Sequence, residues 1–207
     1  MNELKAEIDE IRRVCHNAWE KGLMAGWSGN ASIKTENGIV ITTSGTPKGF
    51  LNDQDFLLID MQASIVAGWT KPSSETLLHL ELYRAYPSCR AIFHTHPACL
   101  QALAIKMGGL PDYHEEFLNL PLYEAEMWKP RLFFGAAFPA GSREVALNAV
   151  DACEGRFCLP CAIWLERHGL AACGEDLRQA FCLTEELEHL AKVQLLSGEM
   201  PAFQFSR

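Results

Sequence analysis

Three histidines and one glutamate are the residues of this chain whose types and spacing best suit chemistry. His94-Thr95-His96 closes an apolar run, Ala91-Ile92-Phe93. On a β-strand, side chains two apart share a face, so both imidazoles converge on one point. A metal site needs that convergence, although a lone His-x-His also occurs as buried histidines satisfied by hydrogen bonds. His168, in Glu166-Arg167-His168-Gly169-Leu170, follows a second apolar run and offers a third imidazole from a turn. Three histidines with one open position form a catalytic zinc site, which polarises a carbonyl and stabilises the oxyanion left when a neighbouring proton departs.

That departing proton requires a base. Glu75 ends the segment Lys71-Pro72-Ser73-Ser74-Glu75, which reads as a helix N-terminus with a serine cap and an acidic first turn. Such a segment combines hydroxyls and backbone N–H groups for an anion with a carboxylate for acid–base work. A first-turn glutamate that only complements the helix dipole is the plainer reading. Ser28-Gly29-Asn30 and Thr43-Ser44-Gly45 are ordinary turn chemistry, yet both can present the N–H and hydroxyl donors that wrap a phosphate. Cys158-Leu159-Pro160-Cys161 has metal or redox spacing, but no second pair completes a four-thiolate site, so small buried side chains near a strand are expected instead.

The elements that must hold these residues follow from periodicity. Ile8, Ile11, Cys15, Ala18 and Trp19 predict an amphipathic helix over about 3–21, ended by Gly22. Strands are predicted at 31–34 and 39–43 around an Asn37-Gly38 hairpin turn, at 56–60 and 65–67, and at 91–96 before Pro97. Helices are predicted from Glu75 to about 86, from 98 to about 106, over 142–152, and from Asp176 with Leu177, Ala180, Thr184, Leu187 and Leu190 on one face. Strands at 162–165 and 170–173 flank His168-Gly169, where the glycine permits a tight turn. Residues 108–135 carry the weakest signal. Strands interspersed with helices predict an α/β layered architecture without repeats or linkers.

Composition sets the frame. The chain has 207 residues, 48% hydrophobic and 21% charged, which suits one folded domain over 1–207. A formal net charge of -8 argues against a nucleic-acid surface. No signal-peptide pattern or membrane-length apolar run is evident, so a cytoplasmic protein with eight reduced cysteines is expected.

Taken in order, Ser28-Gly29-Asn30, Thr43-Ser44-Gly45, Lys71-Pro72-Ser73-Ser74-Glu75, His94-Thr95-His96 and Arg167-His168-Gly169-Leu170 resemble the class II aldolase/adducin family over roughly residues 5–198. The resemblance implies a three-layer α/β/α fold with a mostly antiparallel central sheet, assembled as a homotetramer with active sites at subunit interfaces. It implies that Asn30, Ser44, Gly45, Ser73 and Ser74 bind a substrate phosphate, that His94, His96 and His168 hold one Zn2+ or another divalent metal per subunit, and that Glu75 is the catalytic carboxylate. Such aldolases also use a tyrosine of the adjacent subunit as proton donor, for which Tyr113 and Tyr123 are the candidates. The activity implied is reversible cleavage of a ketose 1-phosphate to dihydroxyacetone phosphate and an aldehyde. Methylthioribulose-1-phosphate dehydration is the alternative, and a non-catalytic adducin-like scaffold is disfavoured by the intact histidines and Glu75.

Overall fold

The computed structural model describes residues 2–108 and 113–198. Among these, eight strands form one sheet: β1 (Asn30–Thr35), β2 (Gly38–Thr42), β3 (Phe56–Ile59), β4 (Ile65–Ala67), β5 (Ala91–Thr95), β6 (Leu132–Gly135), β7 (Cys161–Leu165) and β8 (Gly169–Gly174). Their order across the sheet is β4-β3-β2-β1-β5-β8-β7-β6. Every neighbouring pair is antiparallel except β6 with β7.

Alternation along each strand divides the core in two. Ala91 and Phe93 of β5, Leu170 and Ala172 of β8 and Val40 of β2 face the layer of α1 (Lys5–Glu20), α3 (Ala98–Met107) and α7 (Leu177–Leu196). Ile92, Ala171, Cys173, Ile39 and Ile41 face the opposite layer of α2 (Thr76–Ala85) and α6 (Arg143–Ala152). The expected α/β/α arrangement with a mostly antiparallel sheet is therefore present. Helix α1 buries Ile8, Ile11, Cys15 and Ala18 as its spacing predicts, whereas Trp19 is 38% exposed. Ser142 and Asp176 cap α6 and α7 by accepting from the backbone N–H of Val145 and Gln179.

Three details differ from the sequence reading. The β1–β2 hairpin turns at Glu36-Asn37, one residue early, and Gly38 opens β2 because an added Cβ there would meet the Ile59 carbonyl oxygen at 2.1 Å. Helix α2 starts at Thr76, so Glu75 occupies the cap position and its side chain makes no cap hydrogen bond. The weakly patterned stretch contains two short helices, α4 (Tyr113–Glu116) and α5 (Tyr123–Trp128), and the edge strand β6. All eight cysteines are free thiols; Cys161 is buried and Cys158 exposed.

Candidate active site

The sheet order explains how residues far apart in sequence meet. Strands β1, β5 and β8 are neighbours, and their register sets Asn30 beside His94 and His94 beside Ala171. His94 is fully buried inside β5, while His96 lies just past the strand end. His168 sits in the β7–β8 turn, where Arg167 takes a φ of 60° and the His168 N–H donates to the Leu165 carbonyl at 3.0 Å. The left-handed residue of this turn is thus Arg167, and Gly169 contributes space instead. An added Cβ at Gly169 would stand 2.5 Å from Cδ2 of His96 and 2.5 Å from the Thr95 carbonyl oxygen.

The three imidazoles and Glu75 face one another. His94 Nε2 lies 3.1 Å from His96 Nε2 and 2.6 Å from Glu75 Oε2. His168 Nε2 lies 2.9 Å from Glu75 Oε1. The Nδ1 of His94 is 3.1 Å from the Leu170 carbonyl oxygen. A carbonyl can only accept, so Nδ1 donates, which leaves Nε2 to face His96 and Glu75. Burial, with the nearby His94 and His168, lowers the His96 pKa to about 4. Burial alone would raise the Glu75 carboxyl, but His94 and His168 outweigh it and hold the group well below the usual carboxylate range.

Imidazole nitrogens and carboxylate oxygens directed at one another repel unless a proton or a metal ion lies among them. One ligand-capable atom from each of His94, His96 and His168 falls within 4.8 Å of the others. An all-imidazole set of this kind suits zinc, and the residues present fit such an ion.

Beside this cluster is a cavity of about 170 Å³ lined by Ser44, Gly45, Ser73, Ser74, Glu75 and His96, among others. Its two loops are tied together by a Thr43–Pro72 bridge and by the Ser44 N–H donating to the Lys71 carbonyl at 3.1 Å. Asn30 also lines the cavity, but its amide is engaged. Its Nδ2 donates to Glu75 Oε2 at 3.3 Å, which leaves Oδ1 to accept from His79 Nε2 at 2.5 Å. His79 Nδ1 then accepts from the Ser32 hydroxyl at 2.6 Å, and Tyr83 lies 2.8 Å beyond. Sequence reasoning passed over His79, Ser32 and Tyr83. The one available signal was that His79 follows Glu75 by four residues and so shares its helix face.

The two candidate tyrosines are placed differently. Tyr113 lines a second cavity, about 520 Å³, together with Trp164, Arg167 and His168. Burial and then Glu166 push its phenol up to about 12, so it remains a proton donor. Tyr123 opens α5 with 84% exposure and lines neither cavity.

A family profile described as "Class II Aldolase and Adducin N-terminal domain" matches residues 9–195. The chain belongs to this class II aldolase/adducin family. A curated relative, the L-fuculose phosphate aldolase of Methanococcus maripaludis, is 33% identical over 193 residues, covering 93% of this chain and 98% of its own. The 3-oxo-tetronate 4-phosphate decarboxylase of Haemophilus influenzae is 31% identical over 191 residues, 91% of this chain and 86% of its own. The crystal structure of l-fuculose-1-phosphate aldolase from Thermus thermophilus superposes with a TM-score of 0.74 at 27% identity, covering 96% of this chain and 100% of that one. In this class II aldolase family member, all five segments of the sequence resemblance lie within the matched residues, and the three histidines and Glu75 meet at one point. Among the described residues, no helix is long and apolar enough to cross a membrane.

Proposed function

We propose that this class II aldolase family member reversibly cleaves a ketose 1-phosphate into dihydroxyacetone phosphate and an aldehyde, with one zinc ion held by His94, His96 and His168. The observation that carries this reading is the Glu75 carboxylate, 2.6 and 2.9 Å from two of the imidazoles and lining the serine-rich cavity as well. Bound zinc supplies a Lewis acid that draws electron density from the substrate's carbonyl and adjacent hydroxyl oxygens. Ser44, Gly45, Ser73 and Ser74 anchor the phosphate and so fix the reacting carbons beside Glu75. Glu75, kept anionic, accepts the proton released at those carbons and returns it on the opposite side of the reaction. Asn30 steadies the carboxylate by donating to Oε2. The protein is read as a single cytoplasmic domain over 1–207 that forms a homotetramer, with a tyrosine completing the site at an interface.

The relative from Haemophilus favours a second reading, decarboxylation of a 3-oxo acid phosphate. The same site suits it, because loss of carbon dioxide also leaves negative charge beside a carbonyl. The deciding experiment incubates zinc-loaded protein with ketose 1-phosphates, methylthioribulose 1-phosphate and 3-oxo-tetronate 4-phosphate, and identifies products by mass. Dihydroxyacetone phosphate released from a ketose 1-phosphate is expected, and Glu75→Gln should cut turnover about 10²–10⁴-fold while zinc stays bound. Turnover of the decarboxylase or dehydratase substrate alone would overturn the aldolase reading. A Glu75→Gln protein as active as the parent would remove the proton-transfer role.

A further inference from the structure

Lys48 is a charged side chain with only 2% of its surface exposed. Among the described residues no carboxylate pairs with it. Its Nζ donates to the Thr46 carbonyl at 2.7 Å and is only weakly placed towards the Thr46 hydroxyl at 3.3 Å and the Trp27 carbonyl at 3.5 Å. All of these acceptors are neutral. The titratable groups around it do not supply an ion pair either. Burial pushes the Cys15 thiol up to about 12, so it carries no charge. The Asp55 carboxylate accepts from the Asn52 N–H at 2.7 Å. A buried ammonium without a counter-ion is costly, and burial accordingly lowers the Lys48 pKa, with Cys15 and Asp55 opposing; an anion in the adjoining cavity would favour the charged form.

Lys48 lines the cavity with Ser44, Gly45, Ser73 and Ser74, and among the described residues no other lysine or arginine lines it. A second, independent feature points the same way. Thr43, 1% exposed, lines the cavity too, and its hydroxyl has no hydrogen-bond partner among the described residues. We propose that Lys48 is the counter-charge of the substrate phosphate and that the Thr43 hydroxyl donates to the same group, so the cavity selects an anionic phosphate monoester over an unphosphorylated sugar. This inference rests on the reading of the cavity as a phosphate site. Cations and hydroxyls around one phosphate act together as short, charge-assisted donors.

The bland role for Lys48 is to tie the 43–50 loop to Thr46 and Trp27, and the test separates the two. Inorganic phosphate is titrated into the zinc-loaded protein and its Lys48→Gln, Lys48→Met and Lys48→Arg variants by calorimetry, with circular dichroism and zinc content measured in parallel. Gln keeps a donor for the Thr46 carbonyl but no charge, so it remains informative where Met disturbs the loop. Phosphate affinity should fall at least tenfold in the Gln and Met variants and largely return with Arg, at unchanged zinc content. With the substrate, KM should rise at least tenfold and kcat should fall by less. A folded Lys48→Gln protein that binds phosphate as tightly as the parent would overturn the counter-charge while leaving the phosphate site standing. If the parent itself shows no affinity for phosphate, the phosphate site and the inference both fall.

Discussion

Replacing Gly169 by alanine should weaken metal binding and the fold together. The new Cβ would stand 2.5 Å from the His96 ring and 2.5 Å from the Thr95 carbonyl oxygen. Comfortable carbon–carbon contact begins near ~3.5 Å, so a shift of about 1 Å must be found. The Thr95 carbonyl belongs to a central strand and cannot retreat, whereas the His96 ring lies just past the strand end and can swing. Metal ligands tolerate misplacement of only ~0.2 Å, so the swing falls directly on affinity. Overpacking of this kind costs about 1–3 kcal/mol, which corresponds to roughly 5–150-fold in zinc affinity. The contact with the Thr95 carbonyl stays with the fold, where a cost of about 1–3 kcal/mol corresponds to roughly 2–12 °C in Tm. Competition with a fluorescent zinc chelator gives the affinity, and a calorimetric melt of the apo protein gives the Tm. A Gly169→Ala protein that holds zinc as tightly as the parent would refute the steric account of this turn.

His79 and Tyr113 carry two further expectations. Burial, and then the nearby His94, depress the His79 pKa to about 3, against about 6.5 in an unfolded chain. The unfolded state therefore binds this proton first, and stability fully present above about pH 6.5 is lost as pH falls towards 3. A His79→Gln protein, which can still donate to Asn30, should lose less stability than the parent between pH 7.5 and 4.5 in urea melts, and an identical loss would place the acid sensitivity elsewhere. Tyr113→Phe should lower kcat at least tenfold, with little change in KM, because Tyr113 shares a cavity with His168, while Tyr123→Phe should be near neutral; the reverse pattern would move the proton donor to α5.

Much of the site was legible because it is written in local signals. Two imidazoles two residues apart, a histidine before a glycine, and a glutamate after two serines each announce themselves within a few residues. The helix and strand pattern was clear where one face is apolar, as in α1 and α7. Asn30, by contrast, was matched to the phosphate by resemblance, and its amide instead spans Glu75 and His79. That link depends on strand register, which local sequence does not encode. Lys48 read as part of a turn, since nothing in a single lysine reveals that its ammonium is buried. The β6 strand escaped notice because four residues, Leu132–Gly135, carry too short a pattern, and its parallel pairing with β7 is a tertiary choice.

The placement of β1, β5 and β8 side by side also bears on how the protein matures. Asn30, His94 and His168 come from thirds of the chain that meet only after long loops have closed, and such closures dominate the time a domain takes to fold. During synthesis, the final imidazole is missing until more than three quarters of the chain has emerged. Before then only two of the three imidazoles proposed to hold the metal are present. The proposed metal site is therefore acquired all at once with the finished sheet.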